Sequence, residues 1–351
     1  MFLLAVTKDE IAQNFKSVKV EEFSVHSFKV TIITDKFLSN FISEPNGFSV
    51  IESPLINTPD FQNVIFSKVT YDSTDDRFSI FKSTISGRPM YYHINQEGEF
   101  FCSTHISLLR SAGVPIEENI SVLPEFFVFR FVMPPNTLYK NIYQLLIGGQ
   151  LKIEMVNSKC VIKSINRYNP PQQDKKIRSI AESSLKLYNY LSESIKKLDI
   201  RKDKTTVLLS GGIDSSVLSS ICKVNSITKT SYSTGYPFED PAMNVEKNYA
   251  LSAAQALGTT HQYYEPTIDE YLVGFLESIK HVEEPLHHLQ SVILHLLFKN
   301  CLPVNKKIVI MGQGAGFSFG NFHNYLYWKD KMITKILKKK PIRYSLFVGS
   351  K

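Results

Sequence analysis

The chain has 351 residues, 43% hydrophobic and 21% charged, which is ordinary globular composition and long enough for two domains. No run reaches the roughly 18 to 20 uncharged apolar residues of a membrane span, and MFLLAVTKDE meets Lys8, Asp9 and Glu10 too early for a secretory leader, so a cytoplasmic protein without a membrane partner is expected. The net charge of +7 would suit an anionic partner, but much of the excess falls in Lys329 to Arg343, which reads as a solvated basic terminal helix rather than a nucleic-acid surface.

In chain order, the stretch from Phe28 to about Ile165 favours short strands: FKVTII, GFSVIE, NVIFSKV, RFSIFKS, MYYHI, EFFCS and, after Gly148-Gly149, QLKIEMV and CVIKSI. Two helical segments interrupt it, Ile106 to Ala112 and about Leu123 to Phe131, the second stopped by Pro134-Pro135. Pro170-Pro171 and the polar residues after it mark a boundary. An amphipathic helix follows from about Ser179 to Leu198, with Ile180, Leu185, Leu187, Leu191 and Ile195 near helical spacing. From Thr205 the rhythm becomes strand, loop, helix: TTVLL, Ser215 to Val224, ITKTSYS, Asn244 to Leu257, HQYY, two further helices and KIVIM. Such alternation implies a mainly parallel sheet covered on both faces. The expected fold is a strand-rich α+β domain over 1–170, a linker and leading helix over 171–204, and a doubly wound α/β domain over 205–351. Ligands of such sheets sit at the carboxyl ends of the strands, so the loops after Leu209 and Met311 should face one another.

The strongest local signal is Thr206-Val-Leu-Leu-Ser210-Gly211-Gly212-Ile213-Asp214-Ser215-Ser216, a buried strand, a glycine pair, then an acid and hydroxyls opening a helix. Glycines let the backbone turn sharply and approach an anion, and the open N–H groups and positive dipole end of the helix favour phosphate oxygens. Ser210, Ser215 and Ser216 add hydroxyl donors, and Asp214 can hold the Mg²⁺ that ATP brings. No Gly-Lys-Ser/Thr follows, so this is not a Walker A loop. An ordinary capped helix after a strand would also carry Ser and Asp; six elements in order favour the phosphate loop. Gly312-x-Gly314-x-Gly316 does not make a dinucleotide fingerprint, because the third glycine would fall at Phe317. The cysteines Cys102, Cys160, Cys222 and Cys301 are far apart, with neither zinc-ligand nor disulfide spacing.

These residues resemble the SGGxDSS signature of the PP-loop ATP pyrophosphatases. The flanks narrow the resemblance to the asparagine synthetases and their β-lactam synthetase relatives: Tyr232 to Tyr236, Glu246 through Thr260-His261, Glu283-Glu284-Pro285, and IVIMGQGAGFSFG from Ile308 to Gly320. The resemblance implies ATP and Mg²⁺ as cofactors. It implies phosphate binding by Ser210, Gly211, Gly212, Asp214, Ser215, Ser216 and Gly312, a nucleoside pocket lined by Leu208 and Ser233, and a metal on Asp214. Glu284 is the residue expected to touch the substrate amine, and Gln313 holds a catalytic position that is Glu or Tyr in the active synthetases. The implied reaction adenylates a small-molecule carboxylate for attack by an amine, giving an amide, AMP and pyrophosphate, with asparagine synthesis the family default.

The chain also departs from that pattern. Gly316 stands where the family places a second metal-binding Asp, Phe317 replaces the next acid, and glutamine at 313 is no base near neutral pH. Family members continue well beyond this loop, whereas here Asn321 to Lys351 remain. A catalytically impaired member that binds nucleotide or a partner protein, or whose site a second chain completes, is therefore the competing expectation. The amino-terminal half resembles the family's glutamine-hydrolysing, Ntn-type domain at Gly87 to Tyr92, Phe100 to His105 and Thr137 to Ile142. That class uses a cysteine at position 2; Phe2 stands there, so glutamine hydrolysis is not expected, and Cys102 reads as core. His287, His288 and His295 with Glu283 and Glu284 lack a metal-binding spacing, and His261 reads as a satisfied edge histidine. An RNA-modifying PP-loop enzyme is a third reading, against which the strand-rich half argues.

Overall fold

The computed structural model describes residues 2–15, 19–34, 39–52, 66–84, 89–167, 179–197, 204–238, 245–283, 285–286, 288–306 and 308–316. The Pro170-Pro171 boundary, Gly87-Arg88, Glu284, His287, Phe317 and the basic terminal stretch lie outside the described residues. Two compact units emerge: Met1–Ile200 with Pro266–Leu302, and Arg201–Glu265 with Pro303–Lys351.

In the first unit the strands are β1 (Phe2–Thr7), β2 (Lys19–Val25), β3 (Phe28–Thr34), β4 (Ser39–Glu44), β5 (Gly47–Glu52), β6 (Ser67–Asp72), β7 (Arg77–Lys82), β8 (Tyr91–Ile94), β9 (Phe100–Ser103), β10 (Tyr143–Gln144), β11 (Gly149–Val156) and β12 (Lys159–Arg167). They form two antiparallel sheets, in the orders β10-β8-β9-β1-β3-β2 and β12-β11-β7-β6-β5-β4. Side chains of a strand alternate between faces. Leu4, Val6, Val30 and Ile32 of the first sheet accordingly join Val50, Val69, Phe78, Ile80, Leu151 and Ile153 of the second in one core. The opposite face of β1, Leu3 and Ala5, packs with Ile33 and with Leu109 of helix α1 (Ile106–Ser111). All six β1 residues are buried.

Four strands escaped the sequence pattern: β1, β2, β4 and the two-residue β10. FLLAV in β1 is continuous rather than alternating because both of its faces are covered, a pattern that resembles a leader or a buried helix as much as a strand. Helix α2 (Leu123–Phe129) stops two residues sooner than expected, where Arg130 turns left-handed at φ 65° and its N–H reaches Phe126 O at 2.6 Å. Helix α3 (Ile180–Lys197) matches the expected amphipathic helix to within a residue at each end.

In the second unit, β13 (Thr205–Leu208), β14 (Thr230–Thr234), β15 (Thr260–Tyr264) and β16 (Ile308–Ile310) form a fully parallel sheet in the order β15-β14-β13-β16. Helix α4 (Ile213–Val224) follows β13 and α5 (Glu246–Leu257) follows β14. Helix α4 begins two residues earlier than expected, with Gly212 as its cap.

Helices α6 (Ile268–Val282) and α7 (Gln290–Leu296) belong to the first unit. Thr267 and Glu270 form a capping box at the start of α6. Gly274 lies so close to α7 that a Cβ there would stand 2.7 Å from the Leu296 side chain. At the far end Glu283 turns left-handed at φ 59°, and its carboxylate accepts the Ile106 and Ser107 N–H groups at 2.7 and 2.8 Å. It thus caps α1, whose own N-cap residue, His105, makes no side-chain capping bond. Half of the acidic pair singled out in the sequence is therefore a structural anchor.

Candidate functional site

The parallel arrangement brings the carboxyl ends of β13, β14 and β16 to one edge of their sheet. β13 lies between β14 and β16 and is buried at Thr205, Thr206 and Val207, with Leu208 half-buried. After it, Leu209 N–H still bonds Tyr232 O at 2.8 Å before the chain turns away at Ser210.

Gly211 sits at φ +83°, and a Cβ on it would come within 2.5 Å of the Tyr249 carbonyl on α5. Both the dihedral and the contact demand glycine. Ser215, buried at 6%, donates its hydroxyl proton to Gly212 O at 3.1 Å and accepts the Ser210 N–H at 3.2 Å. Its proton being committed, Ser210 is the donor in the 3.1 Å hydroxyl pair. Ser210 Oγ in turn accepts Gly212 N–H at 3.3 Å. The loop is therefore tied internally, and the Ser210 and Ser215 hydroxyls serve first to shape it. Ser216 N–H makes the first intrahelical bond, to Gly212 O. The N–H groups of Ile213, Asp214 and Ser215 are those that the helix start leaves without an intrahelical partner. Ile213 is 79% exposed and Asp214 is exposed.

The loop after β16 closes on the same point. A Cβ on Gly312 would stand 3.0 Å from both Asp214 Cβ and Ser215 N. Gly312 thus clears the space before the α4 N-terminus, which a side chain there would fill, while Gly211 lets the loop after β13 lie against α5. An acid in the first turn of a helix is worth about 0.3 to 1 kcal/mol to the helix itself, which accounts for Asp214 alone but not for Gly211 and Gly312. Gln313 lies exposed on the next turn and Gly316 is exposed with nothing within 4 Å of a built Cβ.

Ser233 is buried, and its hydroxyl bonds His261 Nε2 at 2.9 Å, while His261 Nδ1 bonds Ser231 Oγ at 2.9 Å. Both ring nitrogens are satisfied, and burial lowers the His261 pKa. The pairing Leu208↔Tyr232 puts Leu208 on the sheet face opposite Ser231 and Ser233. Beyond β14 the rings of Tyr236 and Phe238 stack 6.4 Å apart at 17°; Tyr236, expected within the strand, lies two residues past its end at Thr234.

His295 bonds Glu277 at 3.1 Å, which also pairs with Lys299 at 2.6 Å, and no group of three potential metal ligands occurs among the described residues. Cys102 is fully buried against Met90, with its thiol pKa raised by burial. The Phe2 side chain is buried in the core between the antiparallel sheets, and its N–H bonds Thr104 Oγ1 at 3.1 Å. No helix among the described residues is long and apolar enough to cross a membrane.

The asparagine synthase family model matches residues 186–344, and the glutamine amidotransferase domain model matches 60–165. A glutamine-hydrolyzing asparagine synthetase of Bacillus subtilis (strain 168) is 24% identical over 242 residues, 68% of this chain and 36% of that protein. Those of Brassica oleracea and Sandersonia aurantiaca are 24% and 26% identical, covering 78% and 75% of this chain and 42% and 45% of theirs. The chain spans less than half the length of these curated relatives. Among solved structures, NMN synthetase from Francisella tularensis is 21% identical over 38% of this chain and 54% of that one, with a TM-score of 0.25.

Proposed function

We propose, from the premise that this chain belongs to the asparagine synthetase family, that its parallel-sheet unit binds ATP with Mg²⁺ and acts as an ATP-dependent amide ligase. The observation that carries this reading is the space that Gly312 leaves open before the α4 N-terminus, at the end of a loop that Gly211 allows to turn. The open N–H groups of Ile213, Asp214 and Ser215 take phosphate oxygens there, Ser216 adds a hydroxyl, and Asp214 holds the metal. The Gly312 loop keeps larger side chains away from the phosphates. Leu208 and the carboxyl end of β14 at Ser233 flank the nucleoside. Gln313, beside the Gly312 loop, orients the reacting carboxylate as a hydrogen-bonding amide. ATP supplies an adenylate leaving group for a small carboxylate, which an amine then displaces. The amine comes from solution in this reading; Phe2 at the head of β1 is packed in the core and offers no nucleophile. Functional limits at 1–170, 171–204 and 205–351 accompany this reading.

A second reading has its own support. Gly316 is exposed, so a carboxylate would fit there and none is present. With Asp214 as the sole acid supplied by the two loops, the unit holds nucleotide as a binding module, with a second chain completing the site where turnover occurs. The test is AMP and pyrophosphate release from MgATP across a panel of amino-acid carboxylates, with hydroxylamine as the amine. Carboxylate-dependent AMP formation that Asp214→Ala abolishes supports the ligase. ATP binding with no AMP under any acid overturns it in favour of the binding module.

A further inference from the structure

We infer that the face made by α2, α6 and the hollow between them docks a second copy of this chain in a two-fold pair. Helix α2 buries none of its seven residues. Phe127 is 77% exposed and Val128 72%, and Phe129, Phe131 and Met133 are exposed as well. Helix α6 has two apolar sides. Tyr271, Gly274 and Ser278 are buried, Gly274 against α7, whereas Ile268, Leu272, Leu276 and Ile279 recur at steps of four, four and three and are all exposed.

The two surfaces meet in one place. Ile120 and Leu123 at the start of α2 and Ile279 on α6 line a hollow of about 430 Å³, together with Leu138, Tyr139 and Glu118. A whole aromatic side chain carries about 150 to 250 Å², so the apolar groups of this face expose on the order of 1,000 Å². That exceeds the few hundred Å² that a monomer leaves open and suffices for the roughly 800 Å² per partner of a stable interface.

The face is complementary to itself. At one end of α2 lies the hollow, apolar with an acid, Glu118. At the other end is a knob, where the rings of Phe129 and Phe131, flanking Arg130 in the chain, stand 6.3 Å apart. Glu118 and Arg130 are both exposed, and neither forms an ion pair with any described residue. Hollow and knob are about 9 Å apart, at 1.5 Å per residue from Leu123 to Phe129. A two-fold axis across the middle of α2 lays it antiparallel to its mate, sets each knob over the other's hollow and brings Arg130 to the partner's Glu118. Such a contact closes with two chains. The knob is also shaped in advance: the Glu125 carboxylate accepts the Met133 N–H, and Arg130 N–H bonds Phe126 O at 2.6 Å. Docking then orders little.

Sedimentation velocity of the full chain over about a hundredfold range of concentration reads the association. A monomer–dimer equilibrium without larger species is expected. Phe127→Lys, at an exposed position, keeps the wild-type circular dichroism and weakens the dimer at least about a hundredfold. Arg130→Glu or Glu118→Arg alone weakens it about tenfold, and the two together restore it to within about threefold. A wild type that stays monomeric, growth beyond the dimer, a dimer that Phe127→Lys leaves intact, or a double variant that fails to recover would each overturn the assignment. Should a variant fail to fold, hydrogen exchange of the wild type carries the test: protection at 124–131 rises with concentration, and protection that ignores concentration sinks the pair.

Discussion

β1 of the antiparallel sandwich and β13 of the parallel sheet are both short apolar strands placed inside their sheets, yet their ends are used differently. β1 is buried over all six residues, and its first side chain, Phe2, fills the core. β13 is buried only as far as Leu209, after which the chain leaves the sheet through Gly211 at φ +83° and exposes Ile213 and Asp214. Apolar content alone does not separate a strand that closes a core from one that presents a loop. The difference lies in the next residues: a glycine pair that permits close backbone approach, then an acid at a helix start. A ligand site is a place where the fold declines to finish its own packing.

That contrast can be broken at several points. The largest effect is expected for Gly211→Val, which meets both a disfavoured φ and the Tyr249 carbonyl. The cost is roughly 2 to 5 kcal/mol from backbone strain and overpacking together, seen as a lower urea midpoint together with loss of MgATP stabilisation. A variant that is as stable as wild type would show that the approach of α5 to the loop is not fixed.

A smaller effect, about 1 to 2 kcal/mol, is expected for Glu283→Ala, which strips α1 of two charge-assisted capping bonds. Hydrogen exchange should then speed up at Ile106 and Ser107. A variant whose exchange there is unaltered would remove Glu283 from its anchoring role.

The smallest effect concerns pH. His261 has its pKa lowered in the folded state, so below the unfolded value of about 6.5 the unfolded chain binds more protons. Stability is full above that pH and declines as pH falls through it toward the folded value. His261→Gln should flatten the wild-type loss between pH 7.5 and 5.5 in urea midpoints; an identical slope in both proteins would mean that other groups set it.

Much of this architecture could be read from the chain. The alternating strands of the sandwich and the strand-helix rhythm after Thr205 are local patterns, as is the Ser210 to Ser216 loop, in which each residue type answers a backbone or phosphate requirement. β1 was not legible, since burial on both faces erases alternation. Nor was the placement of α6 and α7 with the sandwich, which depends on Glu283 reaching Ile106 across 177 residues of sequence. The hydroxyl ties between Ser210 and Ser215, and the commitment of Ser233 to His261, follow from geometry that no motif encodes.

The central claim is that the α4 N-terminus with the Gly312 loop is a nucleotide site. Calorimetric titration of MgATP into wild type and Asp214→Ala tests it most directly. The account predicts saturable binding to wild type and at least about tenfold weaker binding to Asp214→Ala, whose own stability falls by no more than about 1 kcal/mol, the worth of an exposed first-turn acid. Folded wild type that takes up no nucleotide, or equal affinity in the two proteins, would contradict it.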